Sequence, residues 1–451
     1  MKKIFLCVFV SLCSVNIQAQ TYTLQQLKDS AMRNNIAVRT ARLDIDAAQQ
    51  QRREAFTNYF PNVSGTGLWF NANKGMAKTD VNLSEQISPE MGAALAQSLP
   101  TEALAALGNP VSISMMKNGT IGSLMAVQPI FAGGQIINGN KLAKVGEDVS
   151  RLQLQLSENE VEKQTEQYYW QLISMQQKMK TVEAVETLLQ DIRKDVDVAV
   201  RAGVAMKNDQ LQVKLRQNDI ESQKVKLQNG ISIVKMLVSQ YCGLSDELWN
   251  VECGMLNEDT SSAEQISFHL PPSTFNENLL PEYQLLQKQV EATKLQRKME
   301  LGKRLPSLGI GAGYSYHNLM ENNHSFGMVF ATVSVPISDW WGGSHAIKRR
   351  KIQEQKAIAQ LEDNSKLLKI RMQKSWNDVQ ESYQQLQIAQ RSIEQAEENL
   401  RLNRNYYKAG TCKMSDLLEA QMLYQQSCDK HTDAYAEYQN KLLEYRQAVG
   451  Q

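Results

Sequence analysis

The 451-residue sequence is poor in the residues that carry chemistry. Its five histidines, His269, His317, His324, His345 and His431, are scattered, with no HExxH or other metal-ligand spacing. Past the opening residues four cysteines remain: Cys242, Cys253, Cys412 and Cys428. Their spacings match no zinc pattern, and so few in so long a chain make no disulfide framework. Cys242 and Cys253 are either a disulfide or, at least as readily, two free thiols. No Ser/His/Asp or Cys/His arrangement can be drawn from the spacings, so an enzyme is not expected, nor is any metal or cofactor. The segment GIGAGY, from Gly309, reads G-x-G-x-G and runs into YSYH, a strand-like stretch where a phosphate loop needs a helix. The formal net charge is +1 with the signs mixed, which gives no reason to expect nucleic acid. Long apolar runs are missing too: beyond the start none reaches about 18 residues, and mean hydropathy is −0.42. That excludes a helical multi-spanning membrane protein.

What is present begins with MKKIFLCVFVSLCSVNIQAQ, which has the layout of a secretory signal over residues 1–19. Lys2 and Lys3 form the basic start, Ile4 to Leu12 the apolar stretch, and Ala19 the small residue suited to cleavage. The apolar stretch is too short to span a bilayer as a helix, which needs ~20 residues. Leu12 before Cys13, where a small residue is wanted, argues against a lipid anchor. The mature chain is expected to be exported.

The chain also writes itself twice. RAGVAMKNDQL from Arg201 and KAGTCKMSDLL from Lys408 share Ala, Gly, Asp and Leu at one offset; 409−202, 410−203, 416−209 and 418−211 all equal 207. The likeness extends outward, giving a first repeat over 20–242 and a second over 281–451, with a linker between. Each half has a polar helical segment ending at a proline (Pro61, Pro306), a Gly-rich β-favouring stretch, and a second proline (Pro129, Pro336). From that second proline to the glycine of the turn is 74 residues in both halves (203−129 and 410−336). The prolines themselves are 68 apart in the first half (129−61) and 30 in the second (336−306), so an insert lies within residues 71–118.

Around each turn the pattern is helical. Val182, Val185, Leu189, Ile192, Val196 and Ala199 recur at spacings of 3 and 4, as do Leu386, Ala389, Ile393, Ala396 and Leu400. The pattern resumes after each turn, through Val234 and Val238 or Tyr438 and Tyr445. Such spacing makes the narrow seam of coiled-coil packing, with Gln, Lys, Glu, Asn and Asp on wet outer faces. No proline interrupts residues 134–201 or 343–408, and some 65 residues of helix reach on the order of 100 Å. Gly203 and Gly410 then predict left-handed helix ends. Asp209 and the Ser415–Asp416 pair stand where an acid satisfies the free N–H groups of the returning helix.

Four strands are expected at about 62–70, 120–128, 308–317 and 326–335, each of the length a tilted strand needs to cross a bilayer. Val329, Ala331, Val333 and Val335 share one face; Ile121, Met125 and Val127 share a face in the earlier strand, interrupted by Ser123. Trp69, Phe70, Tyr314, Tyr316, Trp340 and Trp341 sit towards strand ends, as in an interfacial girdle or as ordinary burial. Four strands cannot close a barrel and open edges are not tolerated in lipid, so copies must combine or the strands lie outside a membrane.

In its opening helix YTLQQLKDSAMRNNIAVRTARLDIDAAQQQRREAFTNYFPNVSG, its duplicated strand entries, its exits VQPIFAGGQ and VPISDWWGGS and its two A-G-x5-D turns, the sequence resembles the TolC-type outer-membrane efflux protein family. The resemblance covers essentially the whole mature chain. It implies an α+β membrane protein, with long coiled-coil helical hairpins and two β-hairpins per chain. Three copies would form a twelve-stranded outer-membrane β-barrel continued by a periplasmic α-barrel. It implies a trimeric exit duct of a tripartite efflux or type I secretion system, docked to a periplasmic adaptor and an inner-membrane pump. The segment 243–280 resembles the linker forming a belt at the tunnel's middle, and the 71–118 insert would lie at the outer rim.

The resemblance also assigns residues. Asp416 and Glu419 match the family's paired acids at the periplasmic constriction, with Glu419 longer than the Asp found in other members. Three copies would set two carboxylate rings around the pore, attracting cations and disfavouring anions. Without the resemblance, Asp416 reads as a helix cap and Glu419 as a solvated side chain. Tyr407 and Asp209 match positions tying the inner hairpin to its neighbours when closed, while Cys412 stands where the family has a basic partner. Gly203 and Gly410 match adaptor-contacting tips. The alternative is a periplasmic coiled-coil adaptor, against which the duplicated hairpins and proline-flanked strands argue.

Overall fold

The structure is a computed structural model, and it describes residues 21–75, 77–81, 88, 91, 100, 111–115, 117–244, 249–251, 276–319, 322–337 and 339–450. The expected signal (1–19), most of the linker (243–280) and of the insert (71–118), and Cys253 lie outside these residues. The chain forms two compact units: Met1–Gln49 with Gly146–Glu291 and Lys356–Gln451, and Gln50–Val145 with Ala292–Gln355. Each unit draws on both sequence repeats, so duplication along the chain is not division in space.

The first unit is helical. Strand β1 (Thr21–Tyr22) is followed by α1 (Leu24–Asn34) and α2 (Ile36–Thr57). The sequence reads as one opening helix; the structure breaks it at Asn35, whose side chain accepts the Ala37 N–H (2.9 Å) and donates to the Tyr241 carbonyl (3.2 Å). A buried Asn that bonds its own backbone offers the chain an alternative to the helical ladder. Thr23 caps α1 reciprocally with Gln26.

Two helices dominate each hairpin. In the first, α3 (Gln135–Arg201) has 67 residues and α4 (Lys207–Cys242) has 36. A short strand β6 (Asn250–Val251) pairs in parallel with β1. After α5 (Pro281–Gly302), the second hairpin is α6 (Asp339–Lys408), 70 residues, and α7 (Met414–Val449), again 36. The return helices end alike, at Gly243 (φ 67°) and Gly450 (φ 79°), and that pair repeats the sequence offset (450−243).

The seam residues are buried as the periodicity predicts. Val182, Val185, Leu189, Ile192 and Val196 of α3 form one cluster with Val213 and Ile220 of α4. A second cluster joins Val379 and Leu386 of α6 to Tyr438, Tyr445 and Val449 of α7. A third packs α1 against α3 and α4 through Leu27, Ala31, Leu172 and Val238, and includes Trp249 just before β6. No described helix is long and apolar enough to cross a membrane.

The second unit holds a four-stranded antiparallel sheet, built by β2 (Asn62–Asn71), β5 (Asn118–Ala132), β7 (Ser307–Leu319) and β8 (Asn322–Ser334) in the order β2-β5-β7-β8. The insert contributes a separate antiparallel pair, β3 (Ala77–Val81) and β4 (Val111–Met115). Strand β5 runs four residues past the expected end, straight through Pro129. That position lies beyond the last β2 pair, Asn62 with Val127, so the missing N–H leaves no partner unserved on that side. A register shift follows between Pro129 and Phe131.

Register sorts the faces. One is mainly apolar or aromatic, with Val63, Trp69, Leu124, Ala126, Leu308, Ile310, Ala312, Tyr314, Val329 and Val333, and carries Thr120, Gln128 and Ser325 as well. Val329 is 87% exposed and Trp69 71%. The other carries Ser64, Thr66, Ser123, Gly311, Gly313, Ser315 and Thr332 together with Phe326, Phe330, His317 and His324. Ile121, Met125 and Val127 do share a face, but it is this mixed one, opposite the valines of β8. Strands β2 and β8 are the edges, each with one side unpaired among the described residues.

Candidate functional site

The candidate site is the pair of hairpin tips in the first unit. Both turns close with the same hydrogen bonds. The Gly203 and Gly410 N–H groups donate to the carbonyls of Val200 and Tyr407, at 3.1 and 3.0 Å. The next N–H groups, of Val204 and Thr411, reach back to Ala199 and Tyr406, at 3.0 and 2.9 Å. This six-to-one closure needs a left-handed residue, and Gly203 (φ 76°) and Gly410 (φ 69°) supply it without a Cβ clash.

The restarts match as well. Asp209 accepts the Met206 N–H at 3.1 Å, and Asp416 accepts the Lys413 N–H at 3.2 Å. Each acid is the third residue of its helix and satisfies the cap's donor while countering the positive helix end. Asp416 also accepts the Ser415 hydroxyl (3.0 Å).

Beyond the caps the tips diverge. Val204 and Met206 of the first tip are 80% and 74% exposed. In the second, Met414 and Leu417 are fully buried in the cluster of Val182–Val196, Val213 and Ile220, so the start of α7 docks onto the first hairpin. The same turn leaves Asp416 and Glu419 exposed on its other side, three residues apart. Glu419 takes no hydrogen bond or ion pair among the described residues.

Tyr407 is half-buried at the edge of that cluster. Burial pushes its phenol above the ordinary value, and Asp209, Cys412 and Asp195 each add to the shift. The structure thus brings Tyr407, Asp209 and Cys412 into one electrostatic neighbourhood. Cys412 donates to the Asn403 carbonyl at 3.5 Å; burial, then Asp416, raises its thiol. Among the described residues Cys412, Cys428 and Cys242 have no disulfide partner, and burial pushes the Cys242 thiol up to about 12.

A polar contact between the return helices has no counterpart in the sequence reading. Arg216 of α4 donates through Nε to Gln421 Oε1 (2.9 Å) and through Nη2 to Gln425 Oε1 (2.8 Å) of α7. Gln425 donates in turn to Gln223 of α4 (2.7 Å). Gln421 is wholly buried and Gln425 nearly so, which corrects the expectation that such residues only face water. Burial lowers the Arg216 pKa, opposed by Asp219. Periodicity could not reveal this layer, because a glutamine in a polar stretch looks the same whether it meets water or an arginine.

Comparison with known proteins agrees with this architecture. The family model "Outer membrane efflux protein" matches residues 281–451. No curated protein sequence matches the chain. Among solved structures, the Campylobacter jejuni CmeC outer membrane channel superposes with a TM-score of 0.74 at 15% identity, covering 95% of this chain and 85% of that one. The Vibrio cholerae outer membrane protein VceC gives 0.71 at 14% identity, over 95% and 96%. The open state of the Neisseria gonorrhoeae MtrE outer membrane channel gives 0.68 at 13%, over 95% and 88%. The outer membrane efflux protein family model thus matches the second repeat, residues 281–451, while the fold shared with these solved structures extends over nearly the whole chain.

Proposed function

We propose that this chain is one protomer of a trimeric outer-membrane exit duct, passing substrates from an inner-membrane pump across the periplasm and outer membrane through a periplasmic adaptor. One observation carries the reading: a four-stranded sheet with an apolar exposed face and two open edges, β2 and β8. In lipid each unpaired N–H or C=O costs several kcal/mol, so the edges must meet those of other copies. Three copies joined edge to edge make about twelve strands, within the range of membrane barrels. The face of Trp69, Tyr314 and Val329 then meets lipid, and the mixed face lines the lumen.

The tips supply the periplasmic end. Asp416 and Glu419, exposed on one face of α7, would place two carboxylate rings in the pore of a trimer, drawing cations to the constriction. Tyr407 beside Asp209 would hold the second hairpin to the first in the closed state. Gly203 and Gly410, with the exposed Val204 and Met206, would meet the adaptor. The periplasmic-adaptor reading gains nothing from the structure, which has two hairpins and a β2-β5-β7-β8 sheet. The test is fractionation and assembly: the protein should sediment with outer membranes and run as a trimer that becomes monomeric on heating. A periplasmic monomer would refute the proposal.

A further inference from the structure

The mixed face of the sheet carries two histidines that neither the tips nor the apolar face explains. His317 of β7 and His324 of β8 are direct cross-strand partners, two pairs from the last pair of the hairpin, Leu319 with Asn322. Directly opposed residues on one face bring their side chains together. The ring centroids lie 5.4 Å apart with the planes inclined at 45°. Phe326 packs near both rings, with centroids at 6.3 and 6.2 Å. The Nδ1 of His317 is shielded from solvent, and no hydrogen-bond partner reaches it. A buried, unserved ring nitrogen needs an explanation.

We propose that His317 and His324 form a two-imidazole site for a late first-row divalent metal ion, such as Cu²⁺, Zn²⁺ or Ni²⁺, on the mixed face of the β7–β8 hairpin. An imidazole bound at about 2.0–2.1 Å puts its ring centre roughly 3.2 Å from the ion, so two rings at a tetrahedral angle have centres about 5.2 Å apart. The observed centroid separation of 5.4 Å matches that spacing. Imidazole nitrogen selects these metals over Mg²⁺ and Ca²⁺, which take oxygen ligands. Among the described residues no third His, Cys, Asp or Glu completes a set, so water fills the remaining positions. The ion would clip β7 to β8 near the Leu319–Asn322 end of their pairing. Each bond needs a neutral imidazole, so acid releases the metal. The pair sits in the second unit and does not depend on the export reading.

The test is Cu²⁺ binding to the tag-free, full-length, detergent-solubilised protein, followed by electron paramagnetic resonance and metal counting. The wild type is expected to bind one ion per chain with coupling to two nitrogens. His317→Ala and His324→Ala should each lose that ion, while His345→Ala, altered at an exposed histidine elsewhere, should keep it. An unchanged ion count in the His317→Ala/His324→Ala double variant would overturn the site. So would a wild-type spectrum without two-nitrogen coupling, which requires no variant to fold. Neither result would touch trimer assembly, so failure here and failure of the exit-duct reading are separable.

Discussion

The two hairpin tips are the same turn put to different uses. Each ends a very long helix at a left-handed glycine and restarts with an aspartate over the new helix's first donors. The first then presents Val204 and Met206 to solvent, while the second buries Met414 and Leu417 against the first hairpin. Capping is local chemistry, so duplication preserves it. Packing depends on what each copy meets, and there the copies have parted.

The largest expected effect breaks the comparison at its packing. Leu417→Ala empties a fully buried position and should cost about 2–5 kcal/mol. Gln210→Ala, the corresponding position of the first tip, loses one hydrogen bond to Asp197 and should cost only about 0.5–1.5 kcal/mol. Chaotrope unfolding followed by helical circular dichroism separates them, and equal costs would show that the tips are packed alike.

The next probes the polar layer. Arg216→Met removes the donor to Gln421 and Gln425 and leaves two buried carbonyl oxygens unserved, at about 1–3 kcal/mol. Adding Gln421→Leu and Gln425→Leu should restore most of that loss in the same unfolding measurement.

A third sharpens what the tips share. Gly203→Ala and Gly410→Ala meet no neighbouring atom, so only the left-handed backbone is strained, at about 1–2 kcal/mol each. The two costs should match.

The smallest effect is in alkali. The Tyr407 phenol is raised in the folded protein, chiefly by burial and next by Asp209. The unfolded chain therefore loses its proton first as pH rises beyond about 10, and the stability Tyr407 contributes below that pH falls away. Tyr407→Phe keeps the ring and should narrow the alkaline loss measured by unfolding at pH 9 and above.

The features legible in the sequence were those written in local pattern. Proline-free stretches before Arg201 and Lys408 gave the long helices, and the spacing of Val182 to Val196 gave the buried seam. Glycines at a constant offset gave the tips. What stayed hidden depends on partners. Asn35 breaks the first helix because Tyr241, some two hundred residues away, offers a carbonyl. Pro129 stays within β5 because β2 has already ended. Ile121, Met125 and Val127 look like a membrane-facing row until register places them beside His317, Gly313 and Gly311. In the candidate site, Asp209 and Asp416 were legible as caps, but Arg216 with Gln421 and Gln425 was not, since nothing in either segment names the other.

In the proposed outer-membrane duct the second tip, and not the first, forms the constriction. Single-channel recording in planar bilayers, with divalent cation added at the periplasmic side, tests it most directly. The wild type should conduct and be blocked. Asp416→Asn with Glu419→Gln should relieve the block, whereas Asp209→Asn, the matching acid of the first tip, should leave it in place. Block that survives the first pair of changes, or that Asp209→Asn relieves as well, would show that the second tip alone does not form the constriction.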